Sequence, residues 1–174
     1  MAEAELELVE DCTRCAGLCC VAHAFEKTQS FGHEKDAGTP CRHLTADHRC
    51  AIHNKRDEQG YKGCGSYTCY GAGQRVTQQM FAGMSWLDKP DMKDDMMRAF
   101  LAMRRVHEAL VMLQQAEKLT LPSHKQQELR DLQTILKSDQ TADLEKLEML
   151  ERGALHRSIR EFLVSLREFV PPVG

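Results

Sequence analysis

All eight cysteines of this 174-residue chain fall between Cys12 and Cys69, and residues 70–174 carry none. That distribution constrains the fold more than any other feature. From Phe25 to Tyr70 the chain is rich in Gly, His, Cys and short polar runs, with no sustained helical or strand period. Such a segment should be loop-dominated, with only short helices or strands. It buries too little apolar surface to fold on that alone, and needs a staple. Paired cysteines supply one as disulfides only in an oxidising compartment. The N-terminal stretch MAEAELELVE is acidic where a secretory or transit peptide would be basic. A cytoplasmic location is therefore expected, and there clustered cysteines read as metal ligands or redox thiols. Adjacent Cys19 and Cys20 also make a simple disulfide ladder awkward.

The densest run is Cys12-Thr-Arg-Cys15-Ala-Gly-Leu-Cys19-Cys20, with Asp11 placed to cap a short helix beginning near Cys12. Spacings of three and four stack Cys12, Cys15 and Cys19 on one face of a helix. On a tight loop, Cys12 and Cys15 can instead chelate one ion, as CxxC pairs do in zinc knuckles. Cys41, Cys50, Cys64 and Cys69 follow at irregular intervals beside turn formers or polar residues. Thiolates suit Zn(II), iron in iron–sulfur clusters or Cu(I), and disfavour calcium and magnesium. Eight thiolates satisfy two tetrahedral zinc sites, or one four-iron cluster plus one zinc. All eight are candidate metal ligands. His23, His33, His43, His48 and His53 lie in the same region, and His53, three residues after Cys50, is the first histidine to consider as a substitute ligand.

After Gly73 the pattern becomes helical. Met92, Met96, Ala99, Met103, Val106, Leu110 and Leu113 make one apolar stripe over residues 91–118, starting at Pro90 and Asp91. Ser123 should cap a second helix with Leu129, Leu132, Ile135 and Leu136 inward. Asp139 or Thr141 should open a third, with Leu144, Leu147 and Leu150 inward, interrupted at Gly153. The last uses Leu155, Ile159, Phe162, Leu166 and Phe169 and ends at Pro171-Pro172. Short connections between four helices predict an antiparallel bundle.

Composition excludes several function classes. A net charge of -3 and a pI of about 6.2 argue against a general nucleic-acid binder, which needs surplus Lys and Arg. Mean hydropathy is -0.48 and no run of apolar residues is long enough for a membrane span. Gly71-Ala-Gly73-Gln-Arg75 lacks the third glycine of a dinucleotide loop and the GK[ST] of a P-loop, and reads as a helix start or turn. No Glu-x-x-His supports a di-iron bundle, and no GxSxG elbow is present. Seven of the nine methionines lie between Met80 and Met112 and hint at Cu(I), but Met92, Met96 and Met103 fall on the apolar stripe and read as core.

The cysteine run resembles bacterial proteins with a CxxCxxxCC cluster, described as zinc- or iron-chelating domains. The likeness continues through Pro40-Cys41-Arg-His-Leu44, Arg49-Cys50-Ala-Ile-His53, Arg56 and Gly63-Cys64. The stretch from Gly60 to Val76 is similar to the N-terminal region of a subgroup labelled pentapeptide-repeat-containing proteins, and the resemblance covers about residues 11–87. It implies metal chelation by the cysteines and no particular reaction. Residues 88–174 depart from a pentapeptide repeat, because their apolar spacing is three and four rather than five.

The expectation is thus a mainly α protein. A loop-rich, metal-stapled cysteine module over 1–76 precedes an antiparallel helical bundle over 77–174. The expected function is metal binding, with thiolates holding zinc or iron for structure or sensing; the chain reads as a binding protein rather than an enzyme. An iron–sulfur or dithiol redox protein and a Cu(I) or zinc metallochaperone are the alternatives. The expected partners are a metal ion, and a second protein or a second copy of the chain through the helical half.

Overall fold

The computed structural model describes residues 6–137 and 143–171. Among them the chain is mainly helical, and its only β-pairing is three isolated bridges: Phe25 with Lys35, Thr28 with Phe31, and Leu44 with Cys50. Three short helices lie in the first half: α1 (Leu18–Ala22), α2 (Lys62–Ser66) and α3 (Ala72–Arg75), the last running on into a π-helical turn, Val76–Met80. Four longer helices follow: α4 (Lys93–Ala116), α5 (Ser123–Lys137), α6 (Leu144–Arg152) and α7 (Ala154–Ser165). None is long and apolar enough to cross a membrane.

Helix α4 organises the molecule. It is entered through a 3-10 turn at Pro90–Met92, with Asp94 and Asp95 in its first turn, where the helix dipole favours negative charge. Its apolar stripe buries Met96, Ala99, Met103, Val106, Leu110 and Leu113, while Met92 is only partly covered. Phe100, Ala102 and Ala109 widen that face, so α4 is covered on more than one side. Leu129, Leu132 and Leu136 of α5, Leu147 of α6, and Ile159 and Phe162 of α7 share its core, as do Leu18 and Val21 of α1 and Ala72 and Val76 beside the cysteines. One continuous core therefore crosses residue 76. Ion pairs of Arg98 with Glu148 and of Arg105 with the buried carboxylate of Glu151 run in the same sense along α4 and α6, so these two helices lie side by side and parallel.

Several boundaries differ from the sequence reading. Ser123 is the first helical residue rather than the cap, and the Pro122 carbonyl accepts from the Gln126 N–H. Ile135 is exposed: Leu129, Leu132 and Leu136 face the core, and Ile135 lies a hundred degrees round the helix from Leu136. Asp139 and Thr141 lie outside the described residues, as does Pro172. The described start of α6 is capped by Asp143, whose carboxylate accepts from Glu145 N–H at 2.9 Å. Within the acidic N-terminal lead-in, Leu6 and Leu8 pack against the core.

Phe100 is fully buried at the centre of α4 and Leu101 beside it is 40% exposed. Phe100→Ala should cost roughly 3–5 kcal/mol in urea unfolding, and Leu101→Ala no more than about 0.5 kcal/mol. Equal costs would show that α4 is not packed as described.

Candidate functional site

The cysteine run does not form one helix. Cys12 begins a 3-10 turn (Cys12–Arg14), and the Asp11 side chain accepts from Thr13 N–H at 2.9 Å, capping it as the sequence suggests. The turn is held from outside by α3 and the π turn. Gln74 Oε1 accepts from Asp11 N–H at 3.0 Å, Gln74 Nε2 donates to Val9 O at 2.7 Å, and Gln78 Nε2 donates to Arg14 O at 2.8 Å. The buried Thr77 hydroxyl accepts from Ala16 N–H at 3.1 Å, and Trp86 Nε1 donates to Ala16 O at 2.8 Å. The stretch 71–75 is thus a helix start, and Gln74 from it, with Thr77, Gln78 and Trp86 beyond it, clamps the loop that carries Cys12 and Cys15.

Gly17 then turns the chain into α1 with a φ of +66°, and a Cβ there would meet Leu44 Cδ1 at 2.8 Å. From α1, the Cys20 carbonyl accepts from Cys41 N–H at 2.9 Å. The Cys41 carbonyl accepts from Leu44 N–H, and Leu44 pairs with Cys50. Cys64 sits in α2, its carbonyl accepting from Arg56 Nη1 at 3.1 Å. Helix α4 positions the last cysteine: the buried His107 donates from Nδ1 to Tyr70 O at 2.6 Å, and the Arg104 guanidinium lies over the Tyr67 and Tyr70 rings.

The result is a cavity of about 260 Å³ lined by Cys12, Cys15, Cys19, Cys20, Cys41, Cys50 and Cys64. Cys69 stands outside this lining, its sulfur near Gly73 and close to that of Cys15. No disulfide joins any of the eight. His23, His43, His48 and His53 also reach the cavity, whereas His33 does not. His53 sits exposed at the rim, with Nδ1 3.2 Å from Asn54 Oδ1. His23 Nε2 is engaged with the Tyr67 hydroxyl at 2.8 Å, and His48 with Ser85. No carboxylate lines the cavity. Among the described residues, no three His, Cys, Asp or Glu side chains converge closely enough to hold a single ion as they stand. The sulfurs surround open space instead.

Two features escaped the sequence reading. Tyr61 is buried beside the cavity, and its hydroxyl meets Arg42 Nη2 at 2.8 Å, His33 Nδ1 at 2.8 Å and His43 Nε2 at 3.0 Å. Lys35 is also buried. Its Nζ donates to the carbonyls of Val21, Asp36 and Thr39 at 3.2, 3.0 and 2.7 Å, stitching the loop before Cys41 to α1. Neither carries a motif: the Tyr61 partners lie 18 to 28 residues away, and Lys35 donates to main-chain carbonyls, which no side-chain pattern marks.

Electrostatics follow from burial. Desolvation pushes the Cys15 and Cys64 thiols up to about 11 from an ordinary 9.0, and raises Cys12, Cys41 and Cys50 as well; neighbouring thiolates add to each. Cys19 and Cys20 split: their sulfurs are 3.9 Å apart, Cys19 keeps its proton, and Cys20 is lowered by that contact and by Lys35 and Arg56. A crowd of thiols cannot ionise together without a cation among them.

No family model matches the chain, and no solved structure does either. It is 34% identical over 164 residues to the uncharacterized protein YybG of Bacillus subtilis (strain 168). The match takes in 94% of this chain but spans 59% of the relative's length.

Two outcomes follow for the metal-free protein. Brief alkylation near pH 8 should label Cys20 ahead of Cys15 and Cys64, as mapped by peptide mass spectrometry, because the thiolate is the nucleophile; labelling of Cys15 first would contradict the assignment. Thiols whose folded values are raised contribute stability that is present below pH 9 and is lost as pH rises towards 11. The urea midpoint should accordingly fall across that window, and a flat profile would count against the buried thiols.

Proposed function

We propose that this is a metal-binding protein whose cysteine thiolates chelate zinc or iron, for structure or for metal-dependent sensing. One observation carries the reading: seven cysteines drawn from separate stretches of the chain line a single cavity, without disulfides and without carboxylates. The donor set fits the group. Sulfur and imidazole suit zinc and iron and disfavour calcium and magnesium. A bound cation also offsets the desolvation, and the smaller mutual repulsion, that keep these thiols protonated, so loading releases protons. Lys35 and Arg56 reinforce the match, because they place positive charge beside thiolates that carry net negative charge once a metal is bound. Free thiols of this kind belong in a reducing compartment such as the cytoplasm. The resemblance to CxxCxxxCC proteins points the same way.

The Cys19–Cys20 pair favours one second reading, a redox dithiol, since one sulfur holds its proton while its neighbour 3.9 Å away is the readier nucleophile. Elemental analysis of untagged protein purified without oxygen separates the two. Stoichiometric zinc, or iron with or without sulfide, is the outcome expected of a chelating protein. Metal-free protein with all thiols titratable would sink that reading and leave the dithiol.

Chelation of the purified protein tests the staple directly. Protease resistance across residues 23–64, which contribute only Tyr61 and Lys35 to the fully covered interior, should collapse. Most of the far-UV helical signal of α4 and α7 should survive. Unchanged protection of that segment would mean that metal does not hold it.

A further inference from the structure

The cysteines are not equivalent in their surroundings. Cys15, Cys19 and Cys69 pack against the hydrophobic core, whereas Cys12, which is exposed, and Cys20, Cys41, Cys50 and Cys64 do not. The Cys15 and Cys69 sulfurs both lie against Gly73: a Cβ at that glycine would stand 2.6 Å from one and 3.9 Å from the other. Cys12 is tied to Cys15 by the intervening 3-10 turn. On the outer side, backbone contacts link Cys20 to Cys41 and Cys41, through Leu44, to Cys50. Cys64 lines the same cavity, from the segment anchored by Arg56.

We infer that the eight cysteines form two four-thiolate centres. The inner one, Cys12, Cys15, Cys19 and Cys69, lies against the bundle; the outer one, Cys20, Cys41, Cys50 and Cys64, lies among the loops. Each takes one thiophilic divalent cation of the zinc or ferrous class. The inference rests on the metal-binding reading above and assigns ligands within it. The boundary falls within the vicinal pair, whose sulfurs stand 3.9 Å apart, so Cys19 and Cys20 bring the two centres side by side. Loading each centre replaces four thiol protons by one dication and leaves a net charge of minus two, which for the outer centre faces the buried Lys35 ammonium.

The test uses metal-free protein given less zinc than it can bind, without oxygen, followed by alkylation and intact-mass measurement. Protection in blocks of four should restrict the label counts to zero, four and eight, with the relative affinities setting their proportions. Peptide maps of the four-label species should show only the two sets named. Saturation should occur at two zinc ions per chain. The Cys12→Ser/Cys69→Ser and Cys41→Ser/Cys64→Ser variants should each retain one zinc, with helicity followed by circular dichroism. Label counts other than zero, four and eight, mixed maps, or saturation at one zinc would overturn the division and leave metal binding intact. No zinc or iron bound to the unsubstituted protein would overturn the metal-binding reading, and this inference with it.

Discussion

The burial of helix α4 is the interaction on which the other elements depend. Its covered faces receive α5, α6 and α7, and Leu18 and Val21 of α1 share the same core. Burying side chains such as Phe100, Met103 and Leu110 supplies on the order of 2 kcal/mol each, whereas residues 23–64 bury only Tyr61 and Lys35. The cysteine-bearing loops are thus built outward from a helix that carries no cysteine. Residues 67–70, fixed by Arg104 and His107, bring Cys69 to the inner side of the site.

Beyond that anchored edge, polar contacts take over. Lys35 satisfies three backbone carbonyls at once; Gln74 and Gln78 donate to carbonyls of the loop around Cys12, and the Thr77 hydroxyl accepts from its Ala16 N–H. These bonds set where the backbone runs without filling the space it encloses. The outcome is an open chamber rimmed with thiols, most of them of raised proton affinity, with the Lys35 and Arg56 cations nearby. Stability and the proposed function are in this way the same electrostatic problem.

Much of the helical half was legible in sequence, because a 3.6-residue period survives in the order of residues wherever one face is buried. The α4 stripe and Gly153 appear where that period places them. Ile135 did not follow, since a helix covered on a narrow side leaves its flanking positions to solvent. The cysteine run allowed two geometries, a helical face or a tight chelating turn, and Asp11 with the Gln74 and Gln78 clamps selects the turn. Tyr61 and Lys35 had no signal. A lone tyrosine or lysine in a polar loop looks the same whether it faces water or three carbonyls.

The residue order by itself determined that the protein is mainly α and that every cysteine lies in the first seventy residues. Composition and periodicity are local properties, and they survive without a fold. Tertiary structure alone decided that cysteines from separate stretches meet at one chamber, that Cys69 approaches from the core side, and that Lys35 and Arg56 stand beside the thiols. Those relations join residues dozens of positions apart, and only the packing of α1 and α3 on α4 brings such positions within reach of one another.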